Sequence, residues 1–248
     1  MQTQLRINLR TTLRANFLEG KLRLVPVFSQ LQTSLWMLST LLLVTNLFLP
    51  TSAHAGSYDD LITAVKFDYV EVVQDLLVKG IDPNSVEPGR GETILMLALR
   101  EHSDKVFNLL MAQPEIKIEA RANNGDTAIM IASYENNIEA VKKLIAADAQ
   151  INQPGWTALH YAAAKGNLEI ISLLLEHSAY IDTESPNKTT PLMMAVRSGK
   201  SEAITLLLDE GADATVKNQL GMTALDFALE YEKKEIAEIL KVHIKKHH

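Results

Sequence analysis

The sequence predicts an all-α protein, a solenoid of about six helix-turn-helix units joined by β-turn or hairpin loops. Three observations carry that expectation. A Gly-x-Thr opening followed by an apolar run recurs at Gly91–Ala98, Gly125–Ala132, Gly155–Ala162 and Gly221–Ala228, with a fifth copy, Thr190–Ala195, lacking the glycine. Its threonines stand at 93, 127, 157, 190 and 223, at spacings of 34, 30, 33 and 33. A second apolar segment sits between these motifs, at Val70–Leu77, Leu168–Leu175 and Ala203–Leu208, and each copy runs into a polar, turn-rich stretch. Two short periodic runs and one turn-rich connection, repeated, are the pattern of stacked helix pairs.

Each element has a local reason. Threonine before each first helix is a good N-cap. Pro191 follows Thr190, where its missing N–H costs nothing. Ala98, Ala132, Ala162, Ala195 and Ala228 are small enough to let neighbouring helices approach closely. Leu76, Leu77, Leu144, Ile145, Leu174, Leu175, Leu207 and Leu208 form the expected second-helix stripe. Met96, Met130 and Met193 occupy the repeat position of His160, where packing is the expected role. The units run 57–90, 91–124, 125–154, 155–188, 189–220 and 221–244. The first lacks the Gly-x-Thr opening and is polar through Asp59, Asp60, Lys66 and Asp68. The last carries Lys233, Lys234, Glu235, Glu238 and Lys241 on its second helix, as a terminal cap requires.

The repeat resembles the ankyrin repeat. Thr190-Pro191-Leu192 and Thr157-Ala158-Leu159-His160-Tyr161-Ala162 match its T-P-L-H-x-A core at a period near 33, and Glu210-Gly211-Ala212-Asp213 matches the ending of its second helix. The likeness spans about Ser57 to Ile244. It implies that His160 is structural, bonding across the turn to threonine. Three departures are visible. The connection between Asn152 and Gly155 is about three residues short, so one turn tip is expected to be missing. The one between Asn84 and Gly91 is about one residue long. Lys188 replaces the turn glycine, which implies strain there if φ is positive.

Residues 1–55 read separately, as a secretory signal peptide. Arg6, Arg10, Arg14, Lys21 and Arg23 make residues 1–34 positive, with Glu19 the sole acid. Residues 35–49 are an apolar run, and Ala53-His54-Ala55 has the form of an A-x-A site with cleavage after Ala55. The alternative is a retained anchor, against which the run is shorter than the ~20 residues of a spanning helix. Residues 56–248 are then the repeat domain, with 19 basic against 29 acidic residues, a formal charge near −10. That charge argues against a nucleic-acid partner. The expected location is periplasmic or secreted, or the inner membrane facing the periplasm if the anchor stays.

Little in the chain suggests chemistry. There is no cysteine, which excludes disulfides, zinc thiolates and a cysteine nucleophile. No G-x-S-x-G, P-loop or H-E-x-x-H occurs. His243, His247 and His248 read as a solvated tail, with metal binding as the alternative. Asn187-Lys188-Thr189 has the form of a glycosylation sequon. The reading is a monomer without cofactor, metal, small-molecule substrate or catalysis of its own.

Proteins of the ankyrin type bind through turn tips and the inner face of the first helices. Carried onto this sequence, that resemblance nominates Phe67, Arg100, Glu101, Tyr134, Glu135, Trp156, Lys165, Arg197 and Tyr231 as partner-binding residues. Tyr, Trp and Arg are enriched in binding hot spots; packing over the shortened turn is the alternative for Trp156. The implied function is an exported adaptor or inhibitor of an envelope protein. A membrane-anchored structural or assembly role is the second reading. Resemblance to exported bacterial ankyrin proteins adds two finer roles, protection against a cell-wall hydrolase and support of oxidative-stress defence.

Overall fold

A computed structural model describes residues 52–247. The expected leader over residues 1–51 lies outside the described residues. The described residues form twelve helices in six pairs and no strand. The pairs are α1 (Ser52–Lys66) with α2 (Val70–Val78), α3 (Ile94–Arg100) with α4 (Asp104–Met111), and α5 (Ala128–Tyr134) with α6 (Ile138–Ala146). Then come α7 (Ala158–Lys165) with α8 (Leu168–Glu176), α9 (Pro191–Ser198) with α10 (Ser201–Asp209), and α11 (Ala224–Glu230) with α12 (Lys234–His247). From α3 onward each first helix packs on the next first helix, α3 on α5, α5 on α7, α7 on α9 and α9 on α11; second helices stack likewise, α6 on α8, α8 on α10 and α10 on α12. α1 begins at Ser52, so Ala55 falls in its first turn. None of the described helices is long and apolar enough to cross a membrane.

The threonine caps form by three chemistries. Thr93, Thr190 and Thr223 accept from the backbone N–H groups of Met96, Met193 and Asp226 at 3.3, 3.4 and 3.2 Å. Asp226 completes a capping box by accepting from the Thr223 N–H at 2.7 Å. Thr157 instead works through His160. Nε2 lies 2.8 Å from the Thr189 carbonyl, which can only accept, so Nε2 carries the proton. Nδ1 is left to accept from the Thr157 N–H at 3.2 Å and its hydroxyl at 3.0 Å. His160 is thus a neutral strut between the fourth and fifth units. Burial pushes its pKa down to about 4, against the opposing pull of the Thr189 hydrogen bond. Thr127 makes no side-chain cap; its hydroxyl takes a 3.3 Å bond from Gln153.

The core is one continuous row. The five first-helix alanines are fully buried, as are Leu110, Leu144, Leu174, Leu207 and Leu240 on the second helices. The expected leucine stripe is narrower than its residue pairs. Leu76, Leu144, Leu174, Leu207 and Leu208 are buried, whereas Leu77, Ile145 and Leu175 only flank the core. A helix of about 9 residues presents one narrow stripe, so the second member of a consecutive pair turns 100° away from the first. Met96, Met130 and Met193 are buried, as packing required.

The turns follow one grammar. Ala122, Ser185 and Asn218 each donate a backbone N–H to the carbonyl four residues on, closing a small hairpin whose left-handed residue is Gly125, Lys188 or Gly221. Lys188 has φ 59°, so a side chain does stand where the other turns use glycine. The long turn is closed by Glu87, whose carboxylate accepts from the N–H groups of Gly89 and Arg90 at 2.6 and 2.8 Å. Those bonds hold its pKa below the usual carboxylate range. Successive tips bond to each other, Asn123 N–H to Arg90 at 2.9 Å and Gln219 N–H to Asn187 at 3.0 Å. Residues 152–155 form no such hairpin, so the tip row is interrupted there. Gln153 fills the space with its side chain, buried and bonded to the Gln150 carbonyl at 3.2 Å.

Candidate functional site

The residues between glycine and threonine in each opening form a column across the stack: Glu92, Asp126, Trp156, Thr189 and Met222. In the second and third units this column holds carboxylates that are buried, Glu92 at 2% and Asp126 at 8% exposure. Their partners come from other columns. Arg100, at the end of α3, reaches back to Glu92 Oε1 with Nε at 2.8 Å and Nη2 at 2.6 Å. Its Nη1 extends to Glu135 of the next unit at 3.4 Å. The bond to Glu92 raises the guanidinium's pKa further, so Arg100 is permanently charged. Tyr161 on α7 donates to Asp126 Oδ1 at 2.6 Å, and Asn124 at the tip donates to Oδ2 at 2.6 Å. Burial first, and then the bond to Asp126, hold the Tyr161 phenol well above the usual tyrosine range.

These groups surround a pocket of about 450 Å³, lined by the Arg90, Asn123 and Asn124 tips, the buried carboxylates, and Tyr134 and Tyr161. Tyr134 meets Tyr161 edge-on at 5.9 Å, and the Lys165 ammonium lies 4.1 Å above the Tyr134 ring. Trp156 stands beside this group, edge-on to His160 at 5.1 Å and 6.4 Å from Tyr161.

Five of the nine nominated residues therefore converge: Arg100, Tyr134, Glu135, Trp156 and Lys165. They are not equally free. Arg100 is spent on Glu92 and Glu135, and Trp156 is half-buried against His160. Glu101 is exposed at the end of α3. The other three stand apart. Phe67 is 65% exposed at the first unit, stacked on Tyr69 at 5.8 Å. Arg197 is exposed on α9. Tyr231 is half-exposed at the last unit, against Phe227.

The nominated set omits Glu92 and Asp126, which make the floor of the pocket, and Tyr161, which walls it. A signal existed in the repeat itself, since two successive units place an acid in the same Gly-x-Thr column. Among the described residues no group of three or more histidines or acids is placed to hold a metal. The His247 side chain and His248 lie outside them.

A family model of ankyrin repeats in arrays of three copies matches residues 61–154, 98–185, 148–218 and 179–247. The chain belongs to the ankyrin-repeat family. Ankyrin repeats are interaction modules that bind other proteins and are generally not catalytic. The chain is 34% identical over 162 residues to the chicken (Gallus gallus) nuclear factor NF-kappa-B p105 subunit, across 62% of this chain and 16% of that protein. It is 31% identical over 160 residues to the human transient receptor potential cation channel subfamily A member 1, across 60% of this chain and 14% of the channel. It is 32% identical over 175 residues to the bovine (Bos taurus) ankyrin repeat and SOCS box protein 3, across 54% of this chain and 33% of the relative. The chain thus spans a third or less of the length of each of these relatives.

Proposed function

We propose that this ankyrin-repeat chain is an exported module that binds another protein in the periplasm, as an adaptor or inhibitor without catalysis of its own. One observation carries the reading. Tyr134, Tyr161 and Arg90 line one pocket on the tip side of the second to fourth units, with Trp156 and Lys165 beside it. Tyrosine, tryptophan and arginine are the side chains in which interface energy concentrates. Export rests on the basic residues before Arg23, the apolar run 35–49 and the Ala53–Ala55 site. Restraint of a cell-wall hydrolase and support of oxidative-stress defence are two roles that such a module would serve.

The test has two parts. The full chain, tagged at its C-terminus, is produced in a Gram-negative host and fractionated. Release into the periplasm with Gly56 as the first residue is expected; a chain retained in the membrane with residues 35–49 intact supports the anchored reading, and a cytosolic chain overturns export. A photo-crosslinking residue is then placed at Tyr134 and, as a control, at Glu176, exposed at the end of α8. A protein captured from Tyr134 and not from Glu176 is the expected result. Equal capture at both, or capture at Glu176 alone, removes this face as the binding surface.

A further inference from the structure

The pocket between the second and fourth units has an unsatisfied floor. Glu92 lines it at 2% exposure, and its Oε2 is buried with no hydrogen-bond partner, because Arg100 places both of its bonds to Glu92 on Oε1. A buried carboxylate oxygen without a protein donor is costly, so this one calls for a donor from outside the chain. The cation at hand does not fill it: Arg90 Nη1 stops 4.0 Å away, with its side chain 64% exposed on the turn tip. The charges divide by depth. Of the charged side chains that line the pocket, Glu92 and Asp126 are buried and Arg100 is part-buried. Arg90 and Lys165 are exposed. The buried floor thus holds two carboxylates against one guanidinium, the other cation of the lining, Arg90, is exposed at the tip, and the walls are the tyrosines Tyr134 and Tyr161, whose faces attract cations.

We infer that this pocket is a socket for a basic side chain of the protein partner, which displaces Arg90 and donates to Glu92 Oε2. The inference rests on the reading of this face as a protein-binding surface and specifies what that partner presents. A guest guanidinium or ammonium brings both things the floor lacks, a donor and a positive charge. A carboxylate guest brings neither. Arg90 acts as a placeholder: it screens Glu92 in the free protein and swings into solvent on binding. The interrupted tip row leaves the neighbouring position at residues 152–155 without a hairpin to cover the pocket's Tyr161 side.

The experiment uses the full chain and small probes, so it does not depend on finding the partner. Nα-acetyl-arginine amide and Nα-acetyl-lysine amide are titrated and followed by amide chemical shifts, with Nα-acetyl-glutamine amide as the uncharged control. Saturable shifts at Glu92, Asn124, Asp126, Tyr134 and Tyr161 are expected with a basic probe and not with the control. Glu92→Gln, which keeps an acceptor for Arg100, is expected to weaken binding about fivefold or more. Arg90→Ala is expected to tighten it about two- to fivefold by removing an exposed competitor. This second variant changes only an exposed tip side chain, so it decides the matter even if Glu92→Gln fails to fold. Equal binding of the control, shifts outside the pocket, no saturable binding by either basic probe, or weakening by Arg90→Ala overturns the socket. Any of these leaves the crosslinking result at Tyr134 untouched, whereas a failed crosslink with intact probe binding removes the protein partner and keeps the socket.

Discussion

The second and third units and the fifth and sixth units have the same scaffold and opposite chemistry. Both place a threonine before each first helix, a buried alanine and a buried leucine at matching positions. The Gly-x-Thr column, however, holds Glu92 and Asp126 in the earlier units, and Thr189 and Met222 in the later ones. In the earlier units that column anchors an ion-pair and hydrogen-bond network through Arg100, Glu135, Tyr161 and Asn124. In the later units the same stretch is held by small neutral bonds, Ser185 to the Thr189 N–H and Asn218 to the Met222 N–H. Helix stacking needs only the apolar columns, so the remaining positions are free to carry a site in one half and to be plain in the other.

Four measurements test how far the two halves differ. If the scaffold is the same throughout, Leu144→Ala and Leu207→Ala, both fully buried, lose about 2–5 kcal/mol each in urea unfolding. A loss confined to one of them would show that the halves differ in their cores and not only in their polar columns.

His160 joins the two regions, and its contribution depends on pH. Its folded pKa, about 4, is depressed below the unfolded value near 6.5, so the neutral form is the one that the fold prefers. The stability it confers is fully present above pH 6.5 and is lost as pH falls from there toward 4, a total of order 3 kcal/mol. His160→Leu is expected to flatten the unfolding free energy in that window relative to the parent. An unchanged slope would mean that the strut is not neutral.

The ion pair sets the halves apart energetically. A double-mutant cycle on Glu92→Ala and Arg100→Ala is expected to give a coupling of about 1–3 kcal/mol, since both groups are largely withdrawn from water. The Arg100–Glu135 pair, longer at 3.4 Å, is expected to give less. Equal couplings would mean that the network is one delocalised cluster.

The smallest effect belongs to the turn at Lys188. Lys188→Gly is expected to raise stability by about 0.5–1 kcal/mol, because glycine adopts the left-handed backbone at φ 59° without a Cβ penalty. A loss would show that the 3.7 Å approach of Lys188 to Glu184 outweighs the backbone strain.

Much of this was legible in the chain. The spacing of Thr93, Thr127, Thr157, Thr190 and Thr223 fixes a helix pair per unit, because a Gly-x-Thr turn, a cap and an apolar stripe are all local instructions. The missing tip at 152–155, the left-handed Lys188 and the structural role of His160 follow from the same register, since each is a departure from or a match to a neighbour about 33 residues away. The pocket was legible only in part. Tyr134 lines it, with Lys165 over its ring, because both sit at the ends of first helices, a position that the repeat predicts. That Arg100 would turn back onto Glu92 was not readable, nor that Tyr161 would bond Asp126 across 35 residues.

The unit, its boundaries and its turns are written along the chain, because those depend on residues a few positions apart. Which columns touch is a matter of stacking. Stacking brings the Gly-x-Thr acids of one unit against the helix ends and tyrosines of the next, and pair energies there depend on distance, burial and the count of donors. No periodicity encodes that geometry, so Glu92 Oε2 emerged without a partner only when the units were laid side by side.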